Sequence, residues 1–386
     1  MNAINKKIIV LSTEPWLNRL HGASILDLFK GLAELGYRVE ILLPSNSDKI
    51  TRDKFFSIKE LKFDRYIPLF SLFSLHRLFF KLMIKEMSSI VIFDFPLLPL
   101  FLIAKALWKS KGIMLILSRP VAEKGFRAWL HSLHFRLSLM LGRPFVDMFT
   151  AISPFEAAEF CRLGKILKRK IMVMPSPLGK VFERLDFMDK DEQRRRLGLN
   201  ALLGKKVLLY YGVLDEQRGI LELLKLFTMS FKESDQIVLL IIGDGPAKDS
   251  IKNFIRHNKI NNVFFCGPVP YLKMPEIIAA CDIGLVVLPD HPWWRYQCPT
   301  KLIEFLAMGK PVIASNLPGI RYIAGNSPLV VYLKSLTVDS FKEAVKKMLT
   351  VEDGVFVNNI EMRRKIIDRF SSRSLALKLS QLIDSI

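Results

Sequence analysis

The chain has 386 residues, half of them hydrophobic, and carries a net charge of +20. That size and apolar content fit two globular domains of ordinary size and exclude a disordered chain. The four cysteines, Cys161, Cys266, Cys281 and Cys298, contain no C-x-x-C pair, which speaks for a reduced, cytoplasmic protein and against structural zinc.

The elements alternate from the start. Lys6–Leu11 reads as a short apolar strand, followed by a loop with His21 and Gly22. A helix over Ala23–Leu35 stops at Gly36, and a second strand covers Arg38–Leu43. Further strands are expected at Ile90–Phe93, Ile113–Ser118, Asp147–Ser153 and Ile171–Met174, with helices at Leu100–Ser110 and from Pro154 onward. His131 and His134 have no acidic residue near enough to share a metal and read as helix-surface residues. The apolar run Ile8–Leu11 is too short for a secretory signal.

A charged region from Pro175 to Gly204, with a basic helix at Gln193–Leu197, separates this half from a second one. The pattern then restarts with strands Lys206–Tyr211, Ile237–Ile242, Val263–Cys266, Ile283–Leu288, Pro311–Ala314 and Leu329–Tyr332. Helices at Gly219–Phe231, Ala247–His257, Met274–Ala280 and Val338–Leu349 alternate with them, and an amphipathic helix closes the chain at Ser372–Ile386. The fold class is therefore α/β, two tandem doubly wound Rossmann-like domains. The expected division is an N-terminal domain over 1–175, a linker over 176–204, a second domain over 205–370 and a final helix over 371–386.

The segment Pro299-Thr300-Lys301-Leu302-Ile303-Glu304-Phe305-Leu306-Ala307-Met308-Gly309-Lys310-Pro311 carries most of the chemistry. Pro299 suits the first helical position and Gly309 the left-handed residue past the helix end. Glu304 is one carboxylate inside an apolar helix, where burial demands a partner. An anion at the start of the same helix would meet free N–H groups and Lys301. Phosphate there, and a diol held by Glu304 one turn later, describe a nucleotide sugar; the alternative is a surface helix whose acid faces water. Two other loops end strands in the same half. Gly212 to Gly219 holds Arg218 at a helix start, suited to a phosphate or, alternatively, to pairing with Asp215 or Glu216. Gly243-Asp244-Gly245-Pro246 is a strand-end turn, but Lys248 stands where a dinucleotide fingerprint needs its third glycine. No P-loop is present.

These motifs resemble those of the retaining glycosyltransferases of family 4, with the GT-B fold. The resemblance implies two domains with a cleft between them, no metal or other required cofactor, and a nucleotide diphosphate sugar as co-substrate. By that resemblance the donor site is Gly212, Arg218, Gly219, Gly243, Gly245, Pro299, Thr300, Lys301, Leu302 and Glu304. Glu304 would hold the ribose hydroxyls, with Arg218 and the Thr300–Lys301 helix start on the diphosphate. His21, Gly22, Ser24 and Arg119 would face the cleft or a glycan or lipid-linked acceptor, and the last helix would cross back to the first domain. Two positions depart from the pattern. Tyr296 replaces a second glutamate that contacts the sugar in many members, and Val213 replaces an arginine, so no catalytic residue is named. A sugar-nucleotide epimerase and a catalytically inactive membrane adaptor of the same fold are the competing readings.

Charge adds a partner. Residues 1–200 hold 33 basic and 19 acidic residues, a net +14. Arg77, Lys81 and Lys85 recur every four residues beside Leu72, Leu75, Leu78, Phe79 and Leu82, and Phe126–Leu141 repeats the theme. Such segments suit an anionic membrane surface, here the inner face of the cell membrane, or alternatively are ordinary core-facing helices. Nucleic acid is not expected, because no stacking or groove-reading module accompanies the charge.

Overall fold

The structure is a computed structural model that describes residues 6–13, 16, 22–45, 49–52, 56–62, 90–116, 126–183, 189–350 and 360–386. The chain divides into two compact units, Met1–Pro177 with Ser372–Ile386, and Leu178–Ser371.

The first unit is built on strands β1 (Lys7–Leu11), β2 (Arg38–Ser45), β3 (Lys49–Arg52), β4 (Phe56–Lys62), β5 (Ile90–Phe93), β6 (Lys111–Met114), β7 (Met148–Ala151) and β8 (Ile171–Val173). They form one sheet in the order β3-β4-β2-β1-β5-β6-β7-β8. Every neighbouring pair is parallel except β3 with β4. The central strand β5, Ile-Val-Ile-Phe, is buried at every position, as a parallel strand covered on both faces must be. Strands β3 and β4 were not expected from sequence: β3 is the edge strand and β4 lies just inside it, where a continuous apolar run is not required.

The last helix, Ser372–Ser385, packs on the helix Gly22–Glu34. Leu375, Leu379 and Ile383, spaced one turn apart, are buried in the contact. Gly31 makes the approach possible, since a Cβ there would stand 2.8 Å from that of Ala376. Salt-bridged Lys6 and Asp384, 3.0 Å apart, hold the far end. One expectation fails in this unit. His134 is buried rather than on the helix surface, edge-on to Phe95, and burial lowers its pKa.

The second unit carries β9 (Lys206–Val213), β10 (Ile237–Asp244), β11 (Val263–Phe265), β12 (Ile283–Val286), β13 (Val312–Ser315) and β14 (Val330–Leu333), all parallel, in the order β11-β10-β9-β12-β13-β14. The basic helix expected at Gln193–Leu197 is present as Lys190–Arg196, and it is packed against the sheet domain rather than fully solvated. Its Arg194 is buried and donates to the Ala280 carbonyl at 2.9 Å and to Asp282 at 2.8 Å. Asp282 also accepts from Lys190 at 2.7 Å and from the Val207 N–H at 2.8 Å, so the buried charges are paired. Two helices, Pro318–Ala324 and Ile360–Phe370, were not anticipated. The first has only seven residues. The second is rich in charge, and its buried Arg363 donates to the Ala307 carbonyl at 2.8 Å.

In each sheet the chain winds outward one way and then the other, reversing between β1 and β5 and again between β9 and β12. Connections leaving the two strands at such a point diverge to opposite faces, and the gap at their carboxyl ends is where sheets of this kind bind ligands. No helix among the described residues is long and apolar enough to cross a membrane.

Candidate functional site

The helix Thr300–Ala307 starts at the reversal point of the second sheet, after the loop that leaves β12. Pro299 is not its first helical residue but its N-cap, in extended conformation, and no side chain caps the first turn. At the other end Gly309 adopts φ 66°, and the amides of Gly309 and Lys310 donate to the carbonyls of Leu306 and Phe305 at 3.0 and 2.9 Å. That is a Schellman closure, and it ends the helix where the sequence pattern required. Leu302, Ile303, Phe305 and Leu306 are all buried, which fixes the rotation of the helix. Leu302 therefore serves the core, and only its backbone belongs to the helix start.

That rotation also buries Glu304, which is 2% exposed. The carboxylate does not face water. The hydroxyl of Tyr211 donates to Oε2 and that of Tyr271 to Oε1, the latter at 2.8 Å. Burial raises the Glu304 pKa, against the opposing pull of both phenols and Lys301. The Tyr211 hydroxyl is pushed well above its ordinary range by burial and by the Glu304 charge. Tyr271 is set from below by Phe182, edge-on at 5.4 Å, and by Gly179, where a Cβ would lie 2.8 Å from the phenol oxygen. Neither tyrosine was assigned a role from sequence. The one signal was Tyr211 itself, the second of two phenols in a buried strand, whose hydroxyl needs a polar partner.

Two cations stand beside this acid. The Lys301 ammonium lies 3.8 Å from the centre of the Tyr210 ring. Burial, and secondarily the neighbouring Arg218 charge, lower its pKa to about 7, against the pull of Glu304. The Arg218 guanidinium lies 4.9 Å over Trp294, whose indole N–H donates to the Gln217 carbonyl at 2.7 Å. Arg218 is not paired with its acidic neighbours in sequence. Asp215 accepts instead from the Gln217 amide at 2.9 Å, and Glu216 from the Ser250 hydroxyl at 3.1 Å. Among the described residues neither Arg218 nor Lys301 belongs to an ion pair. Gly219, at φ 76°, turns the Arg218 loop into the helix Ile220–Phe231.

The glycines of the two neighbouring loops serve close backbone contact. Gly212 and Gly243 are direct partners in the β9–β10 register, and a Cβ on Gly243 would fall 1.9 Å from the Gly212 carbonyl oxygen. Gly245 meets the Leu214 carbonyl in the same way. Arg218, Lys301 and Glu304 thus come together at the β9–β12 reversal, with Thr300 half-buried at the helix start, Gly212 at the end of β9 itself, and Gly243 and Gly245 at the end of β10, one strand further along.

In the first unit, Gly22 opens its helix against the carbonyl of buried Trp16. Ser24 is fully buried, and its carbonyl accepts from the Ser372 hydroxyl at 3.3 Å, so its side chain does not meet solvent. His21, Arg119, Arg77, Lys81 and Lys85 lie outside the described residues.

Residues 189–370 match the family model described as Glycosyl transferases group 1. A putative teichuronic acid biosynthesis glycosyltransferase, TuaC of Bacillus subtilis, is 30% identical over 158 residues, 41% of this chain and 36% of that protein. Alpha-monoglucosyldiacylglycerol synthase of Streptococcus pneumoniae is 28% identical over 138 residues, 36% of this chain and 30% of that protein. The chain therefore spans about a third of the length of these curated relatives. HepE of Anabaena, crystallised with UDP and glucose, superposes with a TM-score of 0.74 at 14% identity, covering 99% of this chain and 100% of that one. The fold is the two-domain GT-B architecture, two doubly wound α/β domains in tandem.

Proposed function

We propose that this protein is a glycosyltransferase that moves a sugar from a nucleotide diphosphate sugar to an acceptor. The observation that carries this reading is the pair Arg218 and Lys301, two basic side chains without an ion pair among the described residues, beside an uncapped helix start. A diphosphate would supply the missing charge, and the departing nucleoside diphosphate would be stabilised as its charge develops. Glu304 would accept the ribose hydroxyls. Each of its oxygens already takes one phenol and keeps a second lone pair for a ligand. Thr300, Gly212, Gly219, Gly243 and Gly245 would line the same edge through their backbones.

The finer reading is a retaining transfer, with no metal, onto a lipid-linked acceptor at the cytoplasmic side of a membrane. The similarity to a synthase named for a glycosylated diacylglycerol supports the lipid acceptor, and the excess positive charge of residues 1–200 supports the location. Arg77, Lys81 and Lys85 belong to this part of the proposal as a lipid-facing stripe.

The test is product analysis. The purified protein is incubated with UDP-, GDP- and ADP-sugars and a membrane lipid extract. Sugar transferred to the lipid fraction with its anomeric configuration kept is the expected result. An isomerised donor without transfer, or no turnover with any donor, overturns the proposal.

A further inference from the structure

The helix Phe126–Gly142 is apolar on both sides. Its inner side is core: Leu139 is fully buried, and Phe135 packs edge-on to Phe95 at 5.1 Å and Phe160 at 5.7 Å. The outer side carries Phe126, Trp129, Leu137, Met140 and Leu141, and the turn beyond it Phe145, each between 37% and 71% exposed. The first two rings stack on each other at 5.8 Å. An apolar face along 17 residues, about 25 Å of helix, is far more than the scattered exposed side chains of an ordinary surface.

The charge around this face says what covers it. Residues 126–146 contain no aspartate or glutamate. Arg136 and Arg143 are exposed on the helix and its end. The turn Lys168–Lys170 is tied to the same end, because Lys170 donates to the carbonyls of Arg143 at 3.2 Å and Val146 at 3.0 Å. That contact sets exposed Lys168 and Arg169, with Leu167, near the end of the apolar face. The next acid, Asp147, is neutralised by Lys105 at 3.1 Å and Lys111 at 3.8 Å. A second copy of the chain would bring a like-charged rim against this one. An anionic bilayer accepts the apolar side chains and the cations together, with Trp and Phe at the level its interface favours.

We propose that this face, from Phe126 to Phe145 with its rim of Arg136, Arg143, Lys168 and Arg169, docks the first unit on an anionic phospholipid bilayer. The helix lies along the interface without crossing it. This surface is separate in sequence from the Arg77–Lys85 stripe and does not rest on the reading of the second unit, so its failure leaves that reading intact.

The experiment uses the full chain with phosphatidylcholine vesicles, with and without phosphatidylglycerol. Sedimentation with the anionic vesicles is expected to fall more than about tenfold in the Phe126→Ser/Trp129→Ser double variant, given the apolar area withdrawn. Arg136→Gln with Arg143→Gln should cost about 25-fold, at roughly fivefold for each charge near the surface, and added salt should mimic that loss. Because the double variant can fail to fold, Trp129→Phe provides a second measurement. Brominated lipid should quench the tryptophan fluorescence of the unmodified protein, and this variant should still bind while losing most of the quenching. Quenching that persists in Trp129→Phe overturns the proposal. So does binding indifferent to phosphatidylglycerol, or a dimer in solution that the double variant abolishes.

Discussion

The two sheets reverse direction at equivalent places, and the chemistry placed there differs in sign. Between β1 and β5, the acid is Asp94, half-buried, and the neighbouring loop closes on it. The Ser12 hydroxyl donates to Oδ2 at 2.7 Å, the Thr13 amide at 2.7 Å and the Thr13 hydroxyl at 3.2 Å. Between β9 and β12, Arg218 and Lys301 converge with no ion pair to either among the described residues, and the nearby Glu304 carboxylate is committed to two tyrosines. The first arrangement spends its polar groups on its own loops; the second leaves positive charge for something else. A shared fold marks where a ligand can bind, and the unpaired charge of Arg218 and Lys301 among the described residues is what favours the second edge for the proposed anion.

The comparison breaks most directly at the cations. Arg218→Ala or Lys301→Ala should weaken a nucleoside diphosphate by about 2–3 kcal/mol, the scale of hydrogen bonds to charged groups, and leave the bare nucleoside nearly unchanged. Titration calorimetry with both ligands checks this; equal losses would show that the two residues act through the fold. Glu304→Gln follows, at about 1–3 kcal/mol for donor and nucleoside alike, because in the proposed site the group it would meet is the ribose. Unchanged nucleoside affinity in that variant would leave Glu304 as a structural acid held by Tyr211 and Tyr271.

Much of this edge was legible in the sequence. Gly309 and Pro311 bound the helix end, and the apolar residues on both sides of Glu304 pointed to its burial with a partner over the alternative of an acid facing water. The partner was not legible. Tyr271 lies 33 residues upstream of Glu304, in a turn without periodicity, and only the tertiary fold brings its hydroxyl within 2.8 Å. Arg194 shows the same limit, since a run of three arginines reads as a solvated face, yet the middle-sheet carboxylate of Asp282 draws the first of them inside. Strands β3 and β4 escaped notice because strands at and next to a sheet edge need not be continuously apolar. The exposed apolar side of Phe126–Gly142 was visible as composition, but burial alone could show which of its two apolar sides the core uses.

Proton linkage sharpens the contrast next. In the free protein the Lys301 pKa is lowered to about 7 by burial and Arg218, from an ordinary value near 10.5. Between those values the unfolded chain holds more protons at this site than the folded one, so its contribution to stability rises with pH across that window. Diphosphate binding has the opposite slope, because the anion requires the charged lysine. Affinity should fall with rising pH above about 7, by at most tenfold per pH unit. Lys301→Met should flatten the profile between pH about 6 and about 9 and abolish proton uptake on binding, as measured in buffers of different ionisation enthalpy.

The smallest expected effect lies at the other edge. Asp94→Asn keeps an oxygen to accept from Ser12 and Thr13 but removes the charge that strengthens three bonds to one atom. The loss should be about 1 kcal/mol, read as a lower urea midpoint for the first unit, because each donor retains a neutral acceptor. Affinity for a nucleoside diphosphate should not move at all. Asp94 is held by Ser12 and Thr13 of the loop after β1, in the unit that contains neither Arg218 nor Lys301. A variant that weakened the nucleotide would mean that the first reversal point also takes part in holding it, and the division of labour between the two edges would have to be redrawn.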